Sequence, residues 1–351
     1  MKSNYLKLGS KFISDKHAPF LIAEISANHN QSLKRLLKLI DKIVESGADA
    51  VKIQTYTPDS MTLNSKSKHF KIIDKKSPWK GKTLYDIYKK GTTPYEWHKK
   101  IFNYAKKKKI LCFSTPFDDY AVEFLEKLKV PFYKVASYEC VDIPLIEKIA
   151  KTYKPIIIST GAANFNEIND AVKTVRKYHN KLILLKCTSL YPSKDSQLNL
   201  SAIIEMKKKF KCPVGFSDHT IDLNAAITSI GVGANVIEKH VKFSNKESGL
   251  DSSFSITPKE LKDLKVKMNN AWKALGIKTI GPIKEELKVR KRRRSLYFIK
   301  NLKKGEIVKL ESIKRIRPGY GIAPKHIKTI IGKKVKKNIK FGAPIKWADF
   351  I

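Results

Sequence analysis

The chain has 351 residues, 42% hydrophobic and 10% aromatic, and a formal charge of +39 from 71 Lys and Arg against 32 Asp and Glu. That is the composition of a folded globular protein with length for a full core and a small second domain, and it excludes a disordered or fibrous chain. No run approaches the ~18 apolar residues of a membrane span, and Met1 to Phe12 lacks the apolar stretch of a secretion signal, so a soluble cytoplasmic protein without a membrane partner is expected.

Eight short apolar runs recur between residues 20 and 240: Phe20 to Ser26, Ala50 to Gln54, Ile110 to Thr115, Phe132 to Ser137, Pro155 to Thr160, Leu182 to Thr188, Pro213 to His219 and Asn235 to His240. Each closes on polar residues and helical patterns lie between them. The arrangement predicts an α/β chain folded as a (β/α)8 TIM barrel with its active site at the C-terminal ends of the strands. After the first run, Leu33, Leu36, Leu37, Ile40, Ile43 and Val44 mark one helix face, with Gly47 as the stop. The segment Thr55 to Lys109 is oversized. It opens as a loop holding Pro58, Ser77, Pro78, Trp79 and Gly81, then shows helix patterns around Thr83 to Lys90 and after Pro94, which suits a substrate lid. Later helices begin near Pro144, Asn166, Asn199 and Asn224, and a last one runs from Lys259 to Leu275.

The character changes near residue 285. Glu285 to Arg294 reads as a charged helical linker closing a 1–284 barrel domain, and residues 295–351 break into short β-like pieces with turns at Lys304-Gly305, Pro318-Gly319 and Phe341-Gly342. Residues 289–351 hold 20 Lys and Arg against 3 Asp and Glu. Elsewhere most lysines interleave with core-facing residues, as in Lys106 to Lys109. A solvated basic surface is therefore favoured over a nucleic-acid partner, for which no binding module is present. Cys112, Cys140, Cys187 and Cys212 form no CxxC and read as reduced thiols.

His219 and His240 close the seventh and eighth strands, side by side at one mouth. Two neutral imidazoles with other positions open to water and substrate oxygens suit a divalent ion, Mn2+ foremost, rather than a closed structural zinc site. Lys52, Lys134 and Lys186 end strands two, four and six beside Thr115, Ser137, Ser159, Ser189 and Ser217, a cradle of charges and hydroxyls for phosphate. A Schiff-base aldolase is the competing use of such a lysine. Glu24 ends an apolar strand, where a carboxylate is paired or serves as a general base. The Gly319-Tyr320-Gly321 and Gly231-Val232-Gly233 pairs read as turns.

Across the barrel, Ala23-Glu24 … Asn28-His29-Asn30, Val51-Lys52-Ile53-Gln54-Thr55, Phe113-Ser114-Thr115-Pro116-Phe117, Tyr133-Lys134-Val135-Ala136-Ser137, Lys186-Cys187-Thr188-Ser189, Ser217-Asp218-His219-Thr220 and Glu238-Lys239-His240 resemble the sialic acid synthase family. Ile316-Arg317-Pro318-Gly319-Tyr320-Gly321 and Gly332-Lys333 … Gly342-Ala343-Pro344 resemble that family's small C-terminal antifreeze-like (SAF) domain. The resemblance implies condensation of phosphoenolpyruvate with an N-acetylated amino sugar, assisted by Mn2+, Mg2+ or Co2+. It implies His219 and His240 as metal ligands. Lys52, Thr115, Lys134, Ser137, Ser159, Ser189 and Ser217 would bind phosphoenolpyruvate, and Glu24 would activate water. Gln54, Glu139, Tyr191 and Asp251 would bind the sugar. It further implies a domain-swapped homodimer in which Arg317 reaches the partner's barrel. Gln31 and Ser189 stand where the family usually has glycine and asparagine. With Trp79 to Asp86, Tyr95 to His98 and Gly249 to Ser255, these departures resemble the branch that uses a 2,4-diacetamido-2,4,6-trideoxy hexose.

Overall fold

The computed structural model describes residues 6–73, 79–276 and 279–351. Ser77 and Pro78 of the expected lid, and Met1 to Tyr5, lie outside them. The chain divides into two compact units, Met1–Gly276 and Ile277–Ile351.

In the first unit, a hairpin of β1 (Leu6–Leu8) and β2 (Lys11–Ile13) precedes the barrel. β3 (Phe20–Glu24), β4 (Ala50–Thr55), β5 (Leu111–Pro116), β6 (Tyr133–Val135), β7 (Ile156–Ser159), β8 (Leu182–Cys187), β9 (Val214–Asp218) and β10 (Val236–His240) then run in parallel around a closed barrel. Closure comes from β10 against β3, with Val236 opposite Phe20 and His240 opposite Glu24. The eight strands are those the apolar runs predict.

Alternation along each strand sorts side chains into two cores. One set faces outward and packs under the helices, among them Leu21, Val51, Tyr133, Ile158, Leu184 and Ile237. The other faces inward and fills the lower barrel with Phe20, Ile22, Phe113, Phe132, Ile157, Ile183, Leu185 and Val236. Leu8 and Ile13 of the hairpin join this inner cluster and close the floor.

The helices start and stop where side chains can satisfy the backbone. Ser32 caps helix Leu33–Glu45 by accepting from the Arg35 amide, and Gly47 leaves it with φ 79°, a left-handed conformation natural to glycine. Helix Pro58–Met61, helix Leu84–Gly91 and helix Tyr95–Lys107 occupy the oversized segment between β4 and β5. Thr257 and Glu260 form a capping box for Pro258–Leu275. Among the described residues no helix is long and apolar enough to cross a membrane.

In the second unit, a short helix at Lys284–Leu287 and a 3-10 turn at Lys288–Arg292 lead to β11 (Ser295–Phe298), antiparallel to β12 (Ile313–Ile316). Its own small core contains Leu296, Phe298, Val308, Ile330, Val335 and Ile345.

Candidate active site

Above the apolar floor the same inward positions turn polar. Two residues beyond Ile22 stands Glu24, and two beyond Ala50 stands Lys52. Ile157 is likewise followed by Ser159, and Val236 by Glu238 and His240. Because side chains repeat with period two, these groups meet inside the barrel mouth. All but Glu24, which lies buried behind Lys52, line a cavity of about 650 Å3 together with Gln54, Lys134, Ser137, Glu139, Tyr191, Ser217, His219 and Asp251.

Its base is a fully buried charge network. Lys52 lies 2.7 Å from Glu24 and 2.8 Å from Glu238, and Ser217 Oγ donates to Glu238 Oε1 at 3.2 Å. Burial first, and Lys134 beside it, lower the Lys52 pKa to about 8 against the pull of Glu238. Burial opposes ionisation of Glu238, but Lys52 and Lys134 hold its carboxyl below the usual value. Alternating signs make such burial tolerable, because removing one partner would strand the others. Lys134 is buried as well, donating to the Val135 carbonyl at 2.8 Å. Glu24 Oε1 accepts from the Ser26 amide at 2.6 Å.

A hydroxyl cradle adjoins the lysines. The Gly161 amide donates to Ser137 Oγ at 3.1 Å. A Cβ at Gly161 would sit 2.2 Å from Ser189 Oγ and 2.8 Å from Ser137 Oγ, so only glycine lets these two serines close on the strand ends. Thr115 is buried on β5 opposite Gln54. Among the described residues, Thr115 Oγ1, Ser159 Oγ, Glu238 Oε2 and His240 Nδ1 are buried without a protein hydrogen-bond partner, which marks places for a polar ligand to fill.

The imidazoles of His219 and His240 lie with ring centroids 5.3 Å apart, facing the same cavity. His219 Nδ1 is within 3.3 Å of the Thr188 carbonyl and 3.7 Å of Cys187 Sγ, leaving Nε2 for the cavity. Burial opposes charge on His219, but the Cys187 thiol raises its pKa. Burial and the neighbouring cations, His219 and Lys52 foremost, hold His240 well below the ordinary value, so it is neutral near pH 7. Among the described residues no group of three or more His, Cys, Asp or Glu is arranged to hold a metal. The two imidazoles nevertheless fit an ion whose other positions are open, since His240 Nδ1 is an orphaned buried donor or acceptor.

Aromatic and acidic groups form the upper wall. The Tyr191 ring lies tilted with its centroid 4.5 Å from that of His219, and Phe254 meets His240 edge-on at 5.0 Å between centroids. Asp251 accepts from the Ala27 amide at 3.2 Å, and burial raises its pKa and that of Glu139. The lid helix Leu84–Gly91 adds Leu84, Ile87 and Tyr88 to this wall, and Trp79 Nε1 donates to the Leu250 carbonyl at 3.2 Å.

Glu24, Thr115 and Ser189 are not among the residues that line the cavity, and Lys186 and Arg317 fall elsewhere. Lys186 has outward parity on β8, where Leu185 and Cys187 face in. Its ammonium donates to the Cys187 carbonyl at 2.8 Å, so the cradle holds two strand-end lysines rather than three. Arg317 is exposed just after β12 in the C-terminal unit. Glu238 escaped the sequence reading although it lies two residues before His240. Strand parity was the signal that could have found it.

Residues 39–279 match the NeuB family and residues 293–351 the SAF domain. The chain is similar to the pseudaminic acid synthase of Campylobacter jejuni, 43% identical over 97% of this chain and 98% of the relative. It is also similar to that of Helicobacter pylori, 42% identical over 94% and 97%. Its structure resembles an N-acetylneuraminic acid synthetase from Leptospira borgpetersenii with a TM-score of 0.74 at 30% identity, covering 82% of this chain and 95% of that one.

Proposed function

The chain belongs to the NeuB family, and from that premise we propose that it catalyses the reaction of the pseudaminic acid synthases it resembles. Phosphoenolpyruvate condenses with 2,4-diacetamido-2,4,6-trideoxy-L-altrose and water to give a nine-carbon nonulosonic acid and inorganic phosphate. The observation that carries this reading is the convergence of His219 and His240 on one cavity with the Lys52 and Lys134 ammonium groups.

Lys52 and Lys134 neutralise the phosphate and carboxylate of phosphoenolpyruvate, while Thr115, Ser137, Ser159, Ser189 and Ser217 supply hydroxyl donors to its oxygens. Gln54, Glu139, Tyr191 and Asp251 orient the open-chain sugar so that its aldehyde carbon faces C3 of the enol, which forms the new C–C bond. His219 and His240 would hold a divalent ion, Mn2+ with Mg2+ or Co2+ as alternatives, which would supply Lewis-acid polarisation of the sugar aldehyde. Water then adds at C2 as Glu24 takes its proton, and phosphate leaves by C–O cleavage. The apolar face of Ile87, Tyr88 and Leu250 suits the methyl group at C6 of such a sugar.

The working assembly in this reading is a cytoplasmic, domain-swapped homodimer in which residues 285–294 serve as connector and each Arg317 serves the other chain's barrel. Exposed Tyr138, Val141, Leu190 and Ile221 on the loops after β6, β8 and β9 favour a covered barrel mouth.

The test supplies phosphoenolpyruvate and Mn2+ with each candidate hexose and follows phosphate release and product mass. Efficient turnover is expected with the altro sugar alone. Equal turnover of the acceptor for N-acetylneuraminate or legionaminic acid would reassign the sugar. Borohydride trapping of pyruvate or sugar on Lys134, with activity surviving EDTA, would instead identify a Schiff-base aldolase.

A further inference from the structure

Gln31 has no part in the chemistry described so far, and its backbone is held in an unfavourable conformation. Asn30 and Gln31 both adopt left-handed backbone, φ 47° and 54°, which suits glycine and burdens a residue with a side chain. The Gln31 amide offsets that burden. Its Nε2 donates to the Lys90 carbonyl at 2.9 Å and the Thr92 carbonyl at 2.8 Å. These carbonyls lie at the C-terminal end of helix Leu84–Gly91, where intrahelical donors run out. The helix needs such an anchor, because Gly91 alone of its residues is buried. Its other ties also run to the barrel rim: His29, in the loop after β3, meets the Gly91 backbone, and Gly91 lies close to Ala27 and Leu250. Thr92 Oγ1 donates to the Tyr56 carbonyl at 2.6 Å, and Tyr88 meets Tyr56 edge-on at 5.9 Å. The same helix presents Leu84, Ile87 and Tyr88 to the cavity.

We propose that Gln31 is a positioning residue, a latch that fastens the lid helix to the loop after β3 and so fixes the acceptor-sugar wall of the cavity. The sugar arm of this proposal rests on the function proposed above; the latch itself does not. Two amide-to-carbonyl bonds from the exposed Gln31 side chain hold the open helix end by its backbone, each a modest net contribution that adds to the contacts of His29 and Tyr56. The phosphoenolpyruvate end of the cavity is built on strand ends and is independent of the latch.

Gln31→Gly removes the strained side chain and the donor together. Hydrogen–deuterium exchange of the ligand-free protein should accelerate about tenfold across residues 84–92 with the barrel strands unchanged, the mark of a local opening. Thermal stability should be equal to the parent's or higher. With both substrates present, the KM for the sugar should rise about tenfold while kcat and the KM for phosphoenolpyruvate stay within about twofold. Gln31→Lys, which restores a flexible donor, should return exchange and sugar KM toward the parent values. Unchanged exchange over residues 84–92 overturns the latch even if turnover is normal. A sugar KM that stays put despite faster exchange overturns the positioning role, as does an equal rise in both KM values. Accelerated exchange in a protein that turns over none of the sugars supports the latch and defeats the proposed reaction instead.

Discussion

The lower and upper halves of the barrel interior use the same alternate positions of the same strands, but one half is hydrocarbon and the other is charged. On β3 the sequence Phe20, Ile22, Glu24 climbs from floor to mouth, and on β10 Val236 gives way to Glu238 and His240. The floor gains stability by excluding water around Phe113 and Phe132, whose rings lie 4.3 Å apart. The mouth sets part of that stability against function, since buried Lys52 is tolerable only between Glu24 and Glu238. A change at the floor should therefore read out as folding, and a change at the mouth as chemistry.

Four measurements can break or sharpen this contrast. His219→Ala or His240→Ala should lower phosphate release about a thousandfold with little loss of thermal stability; near-normal turnover of the double variant would remove the imidazoles from the reaction. Phe113→Ala or Phe132→Ala should do the reverse, costing about 3–5 kcal/mol in denaturant unfolding while kcat of the folded fraction is kept.

Acid should also act on buried histidines outside the cavity. His98, whose Nε2 lies 2.8 Å from Thr55 Oγ1, and His29 are buried histidines whose pKa burial lowers to about 4. Above pH 6.5 both are neutral whether the chain is folded or not. Between 6.5 and 4 the unfolded chain takes up the protons first, so stability falls with falling pH by about 1.4 kcal/mol per unit for each histidine and levels off below 4. His98→Gln should reduce that slope by about 1.4 kcal/mol per unit in unfolding measured from pH 7 to 4.5. The smallest effect concerns Lys52, charged below about pH 8 in the free protein. The kcat/KM for phosphoenolpyruvate should decline about tenfold per unit above that pH, and an unchanged profile to pH 9.5 would take Lys52 out of anion binding.

The barrel was legible in the sequence because buried parallel strands are near-continuous apolar runs, and each of the eight ended on a polar cluster. Most of the candidate cavity residues were legible for the same reason. Lys186 was not, because a lysine after an apolar run looks alike on either face until the register of β8 is known. Glu238 was hidden by the conspicuous histidine two residues on, although shared parity places both inside. The opening hairpin was missed because strands of three residues, Leu6–Leu8 and Lys11–Ile13, are too short to show a period. The latch at Gln31 needed coordinates, since its partners are backbone carbonyls some sixty positions away.

That hairpin has a kinetic consequence. With Leu8 and Ile13 plugging one end of the barrel, traffic passes through a single doorway. In the proposed reaction the substrate held by Lys52 and Lys134 would arrive first and be trapped behind the sugar held by Tyr191 and Asp251. Steady-state kinetics should then show compulsory-order addition, with the three-carbon partner leading.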